Sequence, residues 1–262
     1  TTTSQSVSIL DQPAAAFSVT DVCVTTAASF TNNSTLADSY LWDFGDGNTS
    51  TNSDPTHTYD APGTYEVILT SSNSNGCSDS ESHFLQINPN PTALFSVEDV
   101  CLGNASTFTN RSSITSGALS YNWDFGDTQS STAENPTHTY TTAGTYTVTL
   151  TTTSPFGCSD TFSDQIEVFA NTVAGTIGGA TTLCVDDASV NSLTLSGQTG
   201  NVVRWERSIT GTDQWIPIET TATSIDYSEL GQTTFYRALV QNGVCNEVFT
   251  SNAQIQIDDL SA

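Results

Sequence analysis

The sequence predicts an all-β chain built as a tandem array of β-sandwiches, and three observations carry that prediction. A block of about eighty residues occurs twice; apolar and polar side chains alternate with a period of two; Gly, Asn, Asp and Pro interrupt the alternation at short intervals.

The duplication is legible residue by residue. Tyr40-Leu41-Trp42-Asp43-Phe44-Gly45-Asp46, Pro55-Thr56-His57-Thr58-Tyr59, Gly63-Thr64-Tyr65 and Gly76-Cys77-Ser78-Asp79 return eighty-one positions later. They reappear as Tyr121-Asn122-Trp123-Asp124-Phe125-Gly126-Asp127, Pro136-Thr137-His138-Thr139-Tyr140, Gly144-Thr145-Tyr146 and Gly157-Cys158-Ser159-Asp160. Upstream, Phe17, Cys23 and Phe30 match Phe95, Cys101 and Phe108 at an offset of seventy-eight, so three extra residues fall in a loop between Asn110 and Tyr121. The remaining length holds one more module, and the boundaries read as 12–89, 90–170 and 171–260. The linkers, Asn88-Pro89-Asn90-Pro91 and Ala170-Asn171-Thr172, are too short to allow much freedom, which predicts a rod with restricted hinges.

Within each copy, Thr64–Thr70 and Thr145–Thr151 put Tyr, Val and Leu on one face, the pattern of a half-buried strand. Gly45-Asp46-Gly47-Asn48, Asn73–Gly76 and Thr153–Gly157 read as hairpin turns. Trp42 and Phe44 should fill the space between the sheets with Phe30, Tyr65, Val67 and Leu69. Trp123, Phe125, Phe108, Tyr146, Val148 and Leu150 repeat that set, and Trp205 and Tyr236 take the corresponding places in the third module.

Twenty-eight acidic side chains face four Arg and no Lys, a net charge of -24 that repels nucleic acid and anionic membranes. No apolar run approaches the ~20 residues needed to cross a bilayer, so direct membrane insertion is not expected. No charged-then-apolar leader opens the chain, and the lack of Met reads as a fragment or processed product. Six cysteines, two per module, with abundant Ser, Thr and Asn, point to an exported protein in an oxidising place.

The chain does not read as an enzyme. His57, His83 and His138 are its only imidazoles, two of them the same position in the two copies, and no nucleophile elbow, phosphate loop or His-rich metal motif accompanies them. The paired carboxylates Asp43 and Asp46, with Asp124 and Asp127, flank a tight turn and have two readings. Short-spaced Asp suits a hard cation such as Ca²⁺; equally, Asp side chains cap turns through nearby backbone amides.

Trp-Asp-Phe-Gly-Asp, then Pro-Thr-His-Thr-Tyr and Gly-Thr-Tyr-x-Val-x-Leu, resembles the polycystic kidney disease (PKD) domain family across residues 13 to 169. The resemblance implies immunoglobulin-like (Ig-like) sandwiches common in secreted bacterial proteins, with the motif His packed and hydrogen-bonded beside the Trp. Tyr65 and Tyr146 resemble the tyrosine corner of such domains. Cys184, Trp205-Glu206-Arg207, Phe235-Tyr236-Arg237-Ala238 and Gly243-Val244-Cys245 resemble the Ig-like repeats that stand beside PKD domains in giant surface adhesins of gliding bacteria. Together these resemblances imply a non-catalytic stalk or adhesin segment at the bacterial cell surface, exported by the type IX route. Its partners would be neighbouring repeats and polysaccharide or other surface ligands. Accessory modules of a secreted protease or polysaccharide hydrolase, or subunits of an extracellular filament, are the alternatives. Some PKD-like domains bind Ca²⁺, which keeps that reading of the turn carboxylates open.

Two disulfide patterns remain. Pairing within modules joins Cys23 to Cys77, Cys101 to Cys158 and Cys184 to Cys245. In an Ig-like strand order, however, Cys23 lies at the exit end of its module and Cys77 at the entry end, too far apart for Cα atoms that must approach within about 7 Å. End-to-end stacking would then place Cys23 near Cys158 and Cys101 near Cys245, leaving Cys77 and Cys184 for neighbours outside the sequence. A first strand that loops back would restore the simple pairing.

Overall fold

A computed structural model describes residues 11–185 and 187–258; the boundary expected at residue 260 lies outside them. Among the described residues the regular structure is entirely β. Three hydrophobic clusters, each confined to one module, make three separate cores, and the fold is a tandem of Ig-like sandwiches.

In the first module one sheet runs in the order Val22–Cys23, Ser78–Asn88, Gly63–Ser72, Ser39–Asp43 and Thr49–Ser50. Facing it, Phe17–Ser18 pairs with Thr31–Asn32 and Ala27–Ser29 with Thr56–Thr58. The two long central strands are antiparallel from Gly63 against Ile87 to Ser72 against Ser78, joined by the turn at Asn73–Cys77. Alternation does the sorting: Val67 and Leu69 are buried while Thr64 and Glu66 are exposed. The second module repeats the order as Val100–Cys101, Ser159–Phe169, Gly144–Thr153, Ser120–Asp124 and Ser130–Ser131. Its three extra residues lie in the loop before Ser120–Asp124, where a loop can absorb them without shifting register.

The third module sets Thr176–Gly178, Asn191–Ser196 and Ser224–Tyr227 against a larger sheet. In that sheet Thr182–Cys184, Ala253–Asp258, Thr234–Gln241, Asn201–Ser208 and Ile216–Ile218 follow in order, and Val248–Phe249 also pairs with Thr234–Gln241.

A buried tryptophan centres every core. Trp42 meets Phe17 edge-on at 5.1 Å and Phe30 at 5.4 Å, and Trp123 meets Phe95 and Phe108 in the same way at 5.0 and 5.7 Å. Burying an indole strands its N–H, so each finds a loop carbonyl: Trp42 donates to Asn52, Trp123 to Ala133 and Trp205 to Ala222, at 2.9, 2.9 and 2.8 Å. One bond thus ties the core to the loop on the way to the facing sheet.

The tyrosines depart from expectation. Tyr65 and Tyr146 sit half-buried at the rim, near the start of their strands where the sandwich opens, rather than inside the core. Their hydroxyls reach back to the carbonyls of Ala61 and Thr142, at 3.0 and 2.9 Å, which is the bond of a tyrosine corner. The fully enclosed tyrosines are Tyr59 and Tyr140, whose hydroxyls donate to the carbonyls of Phe44 and Phe125 at 2.9 and 3.0 Å. Tyr236 is buried as expected, but in the third module it is Tyr227 whose hydroxyl donates to a backbone carbonyl, that of Gly179.

The two copies differ by one defect. Ala28 of the first module is fully buried opposite His57; its counterpart opposite His138 is Ser106, whose buried hydroxyl has no protein partner. An unpaired buried hydroxyl costs about 1–3 kcal/mol. Ser106→Ala is therefore expected to stabilise the second module by about 1 kcal/mol in urea unfolding, since the first module already shows that the methyl fits. Tyr59→Phe, which orphans the Phe44 carbonyl, is expected to destabilise the first module by about 1–2 kcal/mol.

Candidate functional site at the module junctions

Each junction is built from the exit end of one module and the entry end of the next. Val22–Cys23 pairs parallel with the end of the last strand, Cys23 beside Asn88; Cys101 stands likewise beside Phe169, and Cys184 beside Asp258. A parallel pairing forces this cysteine to the end where the chain leaves. The other cysteine of each module follows or closes a turn at the opposite end: Asn73 to Cys77, Ser154 to Cys158 and Asn242 to Cys245. The Ser78–Asn88 strand separates the two ends of the first module by about 33 Å at about 3.3 Å per residue, so a bridge within the module is sterically excluded.

The disulfides run between modules. Cys23 is bonded to Cys158 and Cys101 to Cys245, with Cα separations of 5.7 and 5.4 Å. Cys77 and Cys184 are free thiols. Beside each bridge runs a linker with little slack. At the first, only Pro89, Asn90 and Pro91 separate the last residue of one sheet from Thr92, which bridges Ser113; both prolines are buried and Asn90 donates to the Val24 carbonyl at 3.2 Å. At the second, the Asn242 side chain donates to the Ala170 carbonyl at 2.7 Å and its backbone N–H to the Thr172 hydroxyl at 3.1 Å. Gly243 has φ +50° and lies against Phe169, whose ring a Cβ would overlap. Two covalent tethers side by side suppress the rotation that a single peptide linker would permit.

The turn carboxylates hold their own turn. Asp43 accepts from the Gly45 amide at 3.0 Å, and Asp46 from the Asn48 amide at 3.0 Å and from His57 Nε2 at 2.7 Å. Asp124 and Asp127 repeat this with Gly126, Gln129 and His138. Burial pushes the Asp46 carboxyl up, but the bonds from His57 and Asn48 outweigh it and hold the group below the ordinary aspartate value. Gly45 has φ +78° and a Cβ there would stand 2.5 Å from the Glu66 carbonyl, which is why the turn demands glycine. Each turn offers two carboxylates, one of them closed by a histidine, and among the described residues no group of three or more His, Cys, Asp or Glu side chains gathers as a metal set. The histidine differs too: His57 stacks on Phe44, with ring centroids 4.2 Å apart and planes 6° apart, and not on the tryptophan.

The sequence reading missed a charged cluster on the third module. Glu206, 5% exposed within an inner strand, accepts from Arg204 at 2.8 Å and from Arg237 at 2.6 Å. The Arg237 guanidinium lies between Trp215 and Phe249, 4.0 and 3.8 Å from their centroids. Burial alone pushes the Glu206 carboxyl up; the two arginines reverse that and hold it below the usual glutamate value. Trp205-Glu206-Arg207 carried a signal, a charge next to a core tryptophan, but its partner Arg237 comes from another strand.

Comparison with known proteins agrees with this architecture. The PKD domain profile matches residues 11–88 and again 88–169, and that of a domain of unknown function, DUF8696, matches residues 173–259. Collagenase ColA of Bacillus cereus is 44% identical over 61 residues, 23% of this chain and 6% of that protein. The pre-pro-metalloprotease PrtV of Vibrio cholerae is 54% identical over 50 residues, 19% of this chain and 5% of that protein. The chain thus spans a small part of these relatives. The crystal structure of the PKD1 domain of PrtV is 44% identical, covering 30% of this chain and 96% of that one with a TM-score of 0.28. The eight N-terminal Ig domains of Down Syndrome Cell Adhesion Molecule share the fold alone, at 13% identity and a TM-score of 0.61 over 96% of this chain and 37% of theirs.

Two outcomes are expected. Gly243→Ala should leave the melting of the first two modules unchanged while loosening the second junction, seen as a broader inter-module distance distribution in spin-label measurements. Glu206 has a depressed folded-state pKa, so its stabilisation is full above the unfolded glutamate value and is lost as pH falls through the lower folded value. As pH falls below the ordinary glutamate range the wild-type third module should therefore lose stability, by an amount that Glu206→Gln removes from the pH profile.

Proposed function

Because the chain belongs to the PKD domain family through its first two modules, we propose that it acts as a non-catalytic, force-bearing spacer in an extracellular bacterial protein. The modules project a surface away from the cell in the manner of an adhesin stalk. The observation that carries this reading is the covalent connectivity. Cys23 to Cys158 and Cys101 to Cys245 overlap in sequence, with separations of 135 and 144 residues, so tension on the termini passes through the bridges. Residues 24–100 become a side branch, and from Cys158 the load reaches Cys245 either along the backbone or back to Cys101 and across the second bridge. The first module is shielded after Cys23 even if its sheets part. A spacer gains from this: it transmits load and its lengthening by unravelling is capped by the bridges.

The disulfides support an oxidising compartment, and the similarity to the proteases ColA and PrtV is consistent with export. A gliding-motility adhesin with polysaccharide or other surface ligands is the finer form of this reading. The similarity to those proteases supports a second one, accessory modules that hold a catalytic domain at its substrate. Binding of the chain to insoluble polysaccharide but not to collagen favours the adhesin, and the reverse favours the accessory role.

Single-molecule pulling on the termini tests the load-bearing reading. With both bridges intact the shortest covalent path holds about 100 residues, so full extension should stop near 350 Å, at about 3.6 Å per residue; after reduction it should reach about 940 Å. An extension unaffected by reductant overturns the proposal.

A further inference from the structure

The two bridges obey one rule: the exit-end cysteine of a module bonds the entry-end cysteine of the next. Applied to the whole chain, the rule leaves two unfilled halves. Cys77 occupies the place of Cys158, after the same Asn/Ser-to-Cys turn and before the same last strand. Cys184 occupies the place of Cys23 and Cys101, paired parallel beside the end of the last strand. One lies at the entry end of the array and the other at its exit end, and both are free.

The backbone around them also matches the filled junctions. The incoming chain passes directly over the Cys77 turn, where the Asn73 side chain donates to the Asp11 carbonyl at 2.8 Å and Gln12 to the Ser78 carbonyl at 3.2 Å. At the filled junctions the incoming chain takes the same course, with Cys158 Sγ 4.0 Å from the Asn88 carbonyl and Cys245 Sγ 3.5 Å from that of Ala170. At the other end the chain reaches Asp258 beside Cys184, as it reaches Asn88 beside Cys23. Cys77 is partly accessible and Cys184 exposed, as a staple awaiting its partner requires.

We propose that Cys77 and Cys184 are complementary head and tail sites for further modules of this build, so that the staple pattern continues beyond both ends of the array. The contact is heterologous, joining unlike ends of the array, so it propagates head to tail. In forming each bridge two thiols lose two protons and two electrons to a disulfide oxidant, which is reduced to two thiols. The inference rests on the repeat geometry and is independent of any adhesive ligand, so failure to bind polysaccharide leaves it standing.

A second copy of the chain serves as the probe. Cys77→Ser and Cys184→Ser variants are incubated in a glutathione redox buffer, singly and mixed, at raised ionic strength to screen the acidic surfaces. The mixture should yield a discrete covalent dimer at least about tenfold over either variant alone, since 1.4 kcal/mol of docking preference corresponds to tenfold. Peptide mapping should find Cys77 bonded to Cys184, and the wild type should form longer ladders. Dimers as abundant in the single variants as in the mixture, or thiols that stay reduced while Cys23–Cys158 and Cys101–Cys245 remain formed, overturn the proposal. Melting curves of both variants matching the wild type confirm that neither change acts through misfolding.

Discussion

The parallel pairing of a two- or three-residue strand with the end of each module's last strand is the constraint from which the rest of the array follows. Parallel neighbours cannot be joined by a tight hairpin, so the short strand must come from the beginning of the module. The beginning of the chain is thereby carried down to the exit end, and with it a cysteine. The remaining cysteine, at the turn before the last strand, is held one strand length away. Bridges within a module are then geometrically closed off, and bridges across a junction are favoured.

The module cores supply the rigidity that makes this placement count. A buried tryptophan hydrogen-bonded to a loop carbonyl, with an aromatic shell around it, leaves the two sheets one way to stack. The Trp-Asp-Phe-Gly-Asp turn adds a second lock: the Asp carboxylates cap its amides, the histidine of a neighbouring strand closes on one of them, and its ring stacks on the motif phenylalanine. In three dimensions the aspartates and histidine of this pattern form a clasp that holds the turn.

The third module reaches a similar end by other means. It lacks the aspartate turn, and on its outer sheet face Glu206, Arg204 and Arg237 with Trp215 and Phe249 tie the inner strands to the edge. Three of the four cations of the chain lie in this module, so the strongly acidic array carries its positive charge near one end. Glu206 is tolerated there because two guanidiniums share it; alone, a carboxylate so enclosed would be costly.

Sequence alone determined the all-β class, the duplication, the long strands and their turns, and the identity of the core tryptophans, because period-two alternation and turn chemistry are local properties written in neighbouring residues. It also narrowed the cysteines to two patterns by fixing which end of a strand each occupies. Which pattern holds was a tertiary matter, decided by the short parallel strand that brings Cys23 and Cys101 to the junctions. The burial of Tyr59 and Tyr140 over Tyr65 and Tyr146 likewise depends on where the sandwich closes and where it opens. The Glu206 cluster and the histidine clasp join residues from separate strands, and no spacing along one strand encodes which strand will lie beside it.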